Sequence, residues 1–360
     1  MILRLFRYAF TQSKTRAMKS RLLDGNDWHC LLRMRNLEDV FRYLSATDYG
    51  PFLSGLSPTG SDARAISLSL HDSLFKNAVR LSKSLTQNRA QVVYRLLARY
   101  EAENIKTLLR GIWQAMPETT IRPLLYRLET LSRLPIDALL KTRQIPDAID
   151  LLQKTDFHAS LVHALAQFRT QNRLFPLEIA VDLAAFRLLT DQIKTLRGID
   201  RKQTARLIGL FVDGVNLSWL IRFRQIYGLS PEEIINYSLP EGCHITLRDI
   251  GALARAADLP LFLSTLPQPY RNALGHVQHW SRIQPVFQTW LVAGLYRVFY
   301  KDPFHLGLPV SCILLKEMEV KALDGLISAV GAGMPFERIS QVWQGGWMQA
   351  HDNHYSRKAA

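Results

Sequence analysis

The stretch LEDVFRYLSATDYGPFL, residues 37–53, recurs in outline as IPDAIDLLQKTDFHASL, residues 145–161. Both copies contain Thr-Asp followed by an aromatic residue, with aliphatic residues at matching positions on either side. A shorter third copy begins with LRDI at residues 247–250 and continues to the aliphatic residues that follow Asp258. The three copies follow one another at nearly equal spacing, which indicates that one module occurs three times along the chain.

A second motif follows each of the first two copies. The segment EAENIKTLLR, residues 101–110, corresponds position by position to DGVNLSWLIR, residues 213–222. Each segment begins with an acid, has Asn at its fourth position and ends with Arg. Two patterns that recur in the same order support triplication of a module. A threefold helical body of this kind is suited to surround or bridge another molecule.

The composition is that of a folded and strongly basic protein. The chain has 360 residues and is 48% hydrophobic, which is enough for a substantial core. Its net charge of +14 suits an acidic protein partner, a phosphate backbone or an anionic membrane surface, without choosing among them. The cysteines Cys30, Cys243 and Cys312 are scattered, which argues against a disulfide framework or a zinc site. No uncharged run reaches the roughly eighteen apolar residues of a membrane span.

Helical periodicity extends along most of the chain. Apolar residues recur three and four positions apart, as in residues 92–109, and no stretch shows the alternation of a β-strand. Ser230 and Glu233 predict a capping box at the start of a helix. Residues 36–39 and 144–147 predict the start of the same short helix in two copies.

Residues 1–23 are basic and contain no acid. This composition predicts a basic first helix of the folded body, although it is also typical of a mitochondrial presequence.

The sequence therefore predicts an all-α fold of three pseudo-repeated helical modules. Gly and Pro mark breaks near residues 115–120 and 236–245. From these breaks we predict modules at residues 1–117, 118–236 and 237–350, followed by a C-terminal tail at residues 351–360.

The acid and the Asn of the second motif are the strongest polar feature. Asp213 and Asn216 lie three residues apart on one face of a helix among apolar neighbours, so both are expected to point into the bundle. Buried polar groups need partners. Asn216 could hold the backbone of a neighbouring helix end, and Asp213 could hold a cation. Arg222 projects from another face and is expected to reach a different helix.

The same arrangement recurs as Glu101, Asn104 and Arg110. A catalytic acid needs an environment that gives it a pKa unlike that of the equivalent acid in the other copy. The recurrence of the same arrangement in two copies therefore argues against catalysis. The set is instead predicted to pin the fold through internal polar contacts.

Motifs of known enzyme classes are missing from the sequence. It contains no phosphate-binding loop, no nucleophile elbow, no zinc-protease helix and no dinucleotide fingerprint. His276 and His279 could share a helix face, as could His351 and His354, but neither pair has a third ligand nearby. We therefore expect no catalytic, cofactor-binding or metal site, and no small-molecule substrate.

Taken in order, these motifs resemble those of the central-stalk connector of rotary V-type and A-type ATPases. This connector is known as the C subunit in prokaryotic complexes and as the d subunit in eukaryotic ones. The resemblance covers nearly the whole chain. It is carried by AMKSRLL at residues 17–23, Thr-Asp-Tyr at 47–49, residues 100–111, residues 213–233 and KEMEV at 316–320.

The resemblance implies a funnel-like body with a central cavity. Such a body sits on the cytoplasmic mouth of a membrane rotor ring, and its cavity receives the tip of the central shaft. The implied partners are the central-shaft subunits and the rotor ring, with the membrane surface reached indirectly and no nucleic acid bound. The chain would be a peripheral, non-catalytic subunit on the cytoplasmic face of the bacterial plasma membrane. It would link ATP turnover in other chains to proton or sodium transport, without a cofactor.

The third copy departs from the pattern. If Glu319 stands where Asn216 stands, then Lys316 replaces the acid and Gly325 replaces the Arg. The sequence therefore predicts that the third module has lost the polar set of the first two, with Glu319 as its one candidate for a pinning residue.

The sequence also allows a function other than that of an ATPase connector. The positive charge, with Arg among Trp and Tyr in residues 219–227, also suits a basic helical nucleic-acid-binding protein. No recognition-helix spacing accompanies it.

Overall fold

The computed structural model of this chain describes residues 2–60, 62–335 and 339. These residues contain helices and no strand, so the all-α prediction is confirmed. In chain order the α-helices of this part are α1 Ile2–Lys19, α2 Gly25–Leu32, α3 Leu37–Ser45, α4 Gly50–Leu53, α5 Ala63–Ser82, α6 Gln87–Trp113, α7 Glu118–Ile121, α8 Ile136–Lys141, α9 Ile145–Leu151, α10 His158–Gln171, α11 Phe175–Lys194, α12 Gly198–Gln225, α13 Pro231–Asn236, α14 Leu247–Arg255, α15 Leu259–Thr265, α16 Tyr270–Leu274, α17 Trp280–Arg297 and α18 Gly307–Gly331. Short 3-10 helices lie at Arg122–Leu124, Glu129–Leu131 and Val298–Tyr300.

The chain forms two compact units. The first combines Met1–Leu70 with Arg197–Ala360, and the second is His71–Leu196. The predicted helix breaks are found between α6 and α7 and between α13 and α14. The boundaries of the three modules stay a prediction, and the tail at residues 351–360 lies outside the described residues.

The first unit is organised around α18. Helices α1, α3, α12 and α17 pack against it, so every residue of α18 from Gly307 to Val320 is buried. A helix that is apolar on all sides belongs in such a position. Its buried stretch nevertheless contains Lys316, Glu317 and Glu319, which therefore need partners inside the protein.

The second unit is organised around α6. This helix packs against α11 and also contacts α8 and α9, while α10 packs against α11. Val93, Leu96, Leu97 and Tyr100 are buried on its inner side at the three- and four-residue spacing expected from the sequence.

The repeated Thr-Asp-aromatic tripeptide forms the same turn in both copies. The hydroxyls of Thr47 and Thr155 each donate to the carbonyl oxygen three residues earlier, at 2.7 Å in both cases. Each hydroxyl also accepts the backbone N–H of the aromatic residue, Tyr49 or Phe157, at 3.3 and 3.4 Å. Both aromatic side chains are buried, and α4 and α10 begin directly after them. Sequence similarity at this point therefore corresponds to similar local structure.

The predicted helix starts are also found. Ser230 and Glu233 form the capping box that begins α13. α3 and α9 begin at Leu37 and Ile145, the equivalent positions of the first two copies. The basic N-terminal segment forms α1, which packs against α18 as expected of a helix of the folded body.

Among the described residues, α12 is long and apolar enough to cross a membrane, judged by length and composition alone. In its most apolar window, 61% is buried inside the protein. A core helix passes the same test, so this finding is weak evidence for a membrane span.

Candidate functional site

Two asparagines each hold a peptide unit of the segment that follows their helix. Asn104 donates to the carbonyl oxygen of Tyr126 at 2.9 Å and accepts its N–H at 2.8 Å. Asn216 makes the same two bonds to Leu239, also at 2.9 and 2.8 Å. A side-chain amide has one donor side and one acceptor side, so it complements a peptide group. Each long helix, α6 or α12, is thereby tied to the connection that leads away from it.

The acid of each pair holds a later point of the same connection. Asp213 accepts the backbone N–H groups of three consecutive residues, Cys243, His244 and Ile245, at 3.1, 2.9 and 3.2 Å. The hydroxyl of Tyr270 also donates to Asp213, at 2.5 Å. These donors occupy the carboxylate where the sequence suggested a bound cation.

Glu101 is the equivalent acid of α6. It accepts the hydroxyl of Ser132 at 2.9 Å and the N–H of Arg133 at 3.2 Å. The pattern is therefore repeated in the second unit, with fewer donors.

Burial controls the protonation of these acids. It raises the pKa of Asp213 to about 6, although the bonds from Tyr270 and the three N–H groups act in the opposite direction. Burial also raises the pKa of Tyr270, and the neighbouring Asp213 raises it further. Burial raises the pKa of Glu101 as well. Asp213 is completely inaccessible to solvent, so a substrate could not reach it and its perturbed pKa has a structural cause.

Two glycines allow this close packing. A Cβ atom on Gly242 would lie 2.1 Å from Oδ1 of Asp213 and 2.5 Å from the carbonyl oxygen of Ile245. A Cβ atom on Gly214 would lie 2.6 Å from the ring of Phe287. Both contacts are far inside van der Waals distance, so any larger residue at either position would force the backbone or the aromatic ring to move.

The two motif arginines lie in different surroundings. Arg110 of α6 pairs with Glu178 of α11 at 2.5 Å and is half exposed. Arg222 of α12 is exposed, and its guanidinium makes no ion pair or hydrogen bond within the described part of the chain. The expectation that Arg222 reaches another helix is not met there, because its position on α12 faces solvent.

The third copy keeps a buried polar pair with different chemistry. Lys316 and Glu319 form an ion pair at 2.9 Å, and the side chain of Glu319 is fully buried. Glu319 also accepts the N–H of Leu23 at 2.7 Å and the hydroxyl of Tyr49 at 2.7 Å. The Lys316 ammonium lies 3.6 Å from the centre of the Tyr49 ring. The prediction that the set is lost is therefore wrong, because the carboxylate replaces the amide as the group that holds the backbone.

Sequence reasoning missed an ion pair in the second unit. Lys106 of α6 lies 2.8 Å from Asp182 of α11 and 2.8 Å from Glu103, with only 8% of its side chain exposed. Burial raises the pKa of Asp182 to about 6 despite the nearby ammonium. The available signal was a lysine in the middle of an otherwise apolar helix face, three residues after an acid.

Two of the cavities in the described part of the chain are relevant to ligand binding. The first, of about 200 Å³, lies between α12, α17 and α18 and is lined mainly by apolar residues that include Trp219, Phe287 and Met318. It is smaller than the roughly 300–1,000 Å³ of most ligand pockets. The second, of about 430 Å³, is lined by α5 and by the segment around Arg127, which pairs with Asp72 at 2.5 Å.

Metal binding finds no support in the described residues. They contain no group of three or more His, Cys, Asp or Glu placed to hold an ion. His276 and His279 fall between α16 and α17, so they do not share a helix face. His351 and His354 lie outside the described residues.

Comparison with known proteins matches one family over most of the chain. Residues 11–342 match the model of the family described as ATP synthase (C/AC39) subunit. The C subunit of the A-type ATP synthase of Methanocaldococcus jannaschii is 22% identical over 351 residues, covering 95% of this chain and 87% of the relative. The equivalent protein of Methanosarcina acetivorans is 28% identical over 282 residues, covering 78% and 72%. The C subunit of the V-type ATP synthase of Deinococcus radiodurans is 24% identical over 185 residues, covering 51% and 53%. The nucleic-acid-binding alternative gains no support from these matches.

Proposed function

Because this chain belongs to the ATP synthase (C/AC39) subunit family, a family of non-catalytic subunits, we propose that it is the rotor adaptor of a rotary V/A-type ATPase. In this role it couples the central shaft to the membrane rotor ring, so that ATP turnover in other chains is linked to proton or sodium transport. The observation that carries the proposal is the family match along residues 11–342, together with relatives that are C subunits of A-type ATP synthases.

The polar ties suit a part that carries mechanical load. An adaptor has to resist deformation between the shaft and the ring. Asn104 and Asn216 each connect a long helix to the segment that follows it, and Glu319 connects α18 to the segment before α2. Such contacts between distant parts of the chain oppose sliding of helices past their connections.

The proposed body is a funnel of three helical modules around a central cavity. The shared turn at Thr47 and Thr155 supports equivalence of the first two copies. The buried pair of Lys316 and Glu319 supports inclusion of the third. In this arrangement the tip of the shaft enters the cavity, and segments at the module breaks carry the contacts.

The proposed location is the cytoplasmic face of the bacterial plasma membrane. The chain would be a peripheral member of a membrane-associated complex and would reach the membrane through the rotor ring. The basic surface implied by the net charge of +14 would then face acidic groups of the shaft tip or of lipid headgroups.

A binding experiment tests this proposal. The purified chain is mixed separately with detergent-solubilised rotor ring, with the central shaft and with duplex DNA, at low and at physiological salt. We expect complexes with the ring and the shaft. Failure to bind either at low salt would contradict the proposal. Tight DNA binding at physiological salt that falls steeply with added salt would favour the nucleic-acid alternative.

A coupling experiment tests the mechanism itself. The complete ATPase is reconstituted in vesicles with and without this chain, and ATP hydrolysis and ion transport are measured together. We expect the complex without the chain to hydrolyse ATP and to transport no ions. Equal transport with and without the chain would show that the chain does not couple the two.

A further inference from the structure

The first helix has polar residues on its buried face. Tyr8, Thr11 and Thr15 are each 1% exposed or less. The Tyr8 hydroxyl donates to Asp200 at 2.7 Å, and the Thr15 hydroxyl donates to the carbonyl oxygen of Thr11 at 2.6 Å. Most surface helices place their apolar residues on this side. α1 therefore packs against the rest of the first unit without using its phenylalanine side chains.

Those apolar side chains lie on the outward face of α1. Phe6 and Phe10 are 78% and 70% exposed, and Leu5 is 45% exposed. Phe6 and Phe10 are four residues apart, so they project within about 40° of each other. Ala9 and Ala17 are also exposed, near the same side of the helix. Phe6, Phe10 and Ala17 lie within about 40° of one another and form an exposed apolar stripe. Clustered apolar residues of this kind indicate an interaction surface, whereas apolar residues scattered singly over a surface need no explanation.

Positive charge borders this stripe on one side. Arg7 and Lys14 lie about 80–100° round the helix from Phe6. The Lys14 ammonium is 5.5 Å from the centre of the Phe10 ring, so charge and aromatic surface are in direct contact. Residues 1–23 contain no Asp or Glu, so every charged side chain of this segment is positive. A partner for α1 must therefore accept aromatic groups and cations together.

An anionic bilayer surface meets both requirements. Helices that lie in the headgroup region combine Phe or Leu on the lower face with Lys or Arg at the level of the phosphates. Each Lys or Arg near an anionic leaflet strengthens binding further. We propose that α1 binds the surface of an anionic membrane directly, with Phe6 and Phe10 inserted among the upper acyl chains and Arg7 and Lys14 at the lipid phosphates. The proposed rotor adaptor reaches the membrane only through the ring, so this contact goes beyond that function.

Vesicle flotation with the full-length chain tests the proposal without any other component of the complex. Vesicles of phosphatidylcholine alone are compared with vesicles in which about one third of the lipid is phosphatidylglycerol. We expect binding to the anionic vesicles and little to the neutral ones. The double variant Phe6→Ser/Phe10→Ser should lower the partition coefficient about tenfold or more, since it removes the apolar stripe.

Matched control variants distinguish the effect of this stripe from the effect of losing any other exposed apolar side chain or positive charge. Ile226 is 73% exposed in the same unit, so Ile226→Ser is the control for the loss of an exposed apolar side chain. Arg7→Gln/Lys14→Gln should lower binding to anionic vesicles about tenfold, and the exposed pair Arg201→Gln/Lys202→Gln should change it less than twofold. Circular dichroism and the thermal midpoint verify that each variant is folded.

Three outcomes would overturn the proposal. One is failure of the wild-type chain to float with anionic vesicles. Another is equal flotation of the wild type and a folded Phe6→Ser/Phe10→Ser variant. The third is an equal loss in the two charge variants, which would assign binding to net charge alone. Loss of ring or shaft binding in Phe6→Ser/Phe10→Ser, without vesicle binding by the wild type, would identify a protein groove as the partner instead. The rotor-adaptor proposal survives any of these vesicle results, because it depends on ring and shaft binding.

Discussion

The carboxylate of Glu319 accepts the backbone N–H of Leu23 at 2.7 Å, although 296 residues separate them in sequence. This contact ties α18 to the segment before α2. Asn104 and Asn216 make the corresponding contacts from α6 and α12, each to a residue 22 or 23 positions further along the chain. In each case a buried polar side chain on a long helix holds a backbone group of a connecting segment.

Replacement of Asn216 by Ala should destabilise the protein by about 2–4 kcal/mol. The change leaves both the N–H and the carbonyl oxygen of Leu239 buried without their partner, and each such group costs about 1–3 kcal/mol. The free energy of unfolding from denaturant titration measures the effect. Asn236→Ala is the control, because Asn236 is exposed at the end of α13. Equal stability of the two variants would contradict a pinning role for Asn216.

The third copy offers a graded test at Glu319. Glu319→Ala leaves the Lys316 ammonium buried without its carboxylate and should cost about 3–5 kcal/mol. Glu319→Gln keeps an oxygen that can accept from Leu23, so it should cost less. The combined variant Lys316→Met/Glu319→Gln should recover part of that loss, since no buried charge remains. Recovery would be absent if Lys316 were stabilised independently of Glu319.

Gly242→Ala should destabilise the protein by about 1–3 kcal/mol, because the new methyl group would overlap Asp213 and the backbone has to shift. Gly55→Ala is the matched control. A Cβ atom on Gly55 meets nothing within 4 Å, and its backbone needs no left-handed conformation. Thermal midpoints of the two variants provide the comparison. If both variants matched the wild type, the close approach of residue 242 to Asp213 would be refuted.

The Lys106–Asp182 pair should behave as a buried ion pair. Asp182→Ala leaves the ammonium with only Glu103 and should cost about 3–5 kcal/mol. Lys106→Met/Asp182→Leu should lie within about 1 kcal/mol of the wild type or above it, because both buried charges are removed. The exposed cation Lys194 is the control, and Lys194→Met should change stability by less than about 0.5 kcal/mol. Additive losses in the double variant would contradict coupling of the pair.

Asp213 should make stability fall as the pH rises through the weakly acidic range. Its pKa is raised by burial to about 6 from an ordinary value of 3.8, so the folded state binds the proton more tightly than the unfolded state. The stabilisation that Asp213 adds to the free energy of unfolding is fully present below about pH 4. It is lost as the pH rises through 6, by up to about 3 kcal/mol. The free energy of unfolding is measured between pH 4 and 6.5 for the wild type and for Asp213→Asn. We expect the difference between them to decline with pH. Parallel profiles would rule out this titration.

Local features of the fold could be predicted from the sequence. The capping box of Ser230 and Glu233 and the starts of α3 and α9 depend on residues within one helical turn, so short-range chemistry determines them. The burial of Asp213 and Asn216 also follows from their apolar neighbours on one helix. These features depend on interactions between residues a few positions apart, which the sequence displays directly.

Long-range partners could not be predicted from the sequence. The contact between Glu319 and Leu23 depends on how α18 packs against the start of the chain, and no local pattern specifies it. The loss of the polar set in the third copy was predicted because Lys316 and Glu319 differ in residue type from Asp213 and Asn216, the residues at the equivalent positions. The charges of Lys316 and Glu319 nevertheless neutralise each other when the two are buried together, so chemically different residues fill the same structural place.

Asn104 and Asn216 each donate one hydrogen bond to a peptide group and accept one from it. This pairing determines which substitutions the connecting segments can tolerate. Each side-chain amide bonds only to the backbone N–H and carbonyl oxygen of its partner, so the identity of the partner's side chain does not affect the two bonds. Tyr126 and Leu239 accordingly occupy equivalent positions without chemical similarity. The connecting segments are therefore free to accumulate substitutions while the helices that hold them stay in place. Different residues in these segments are therefore compatible with the same two hydrogen bonds, as Tyr126 and Leu239 show within this chain.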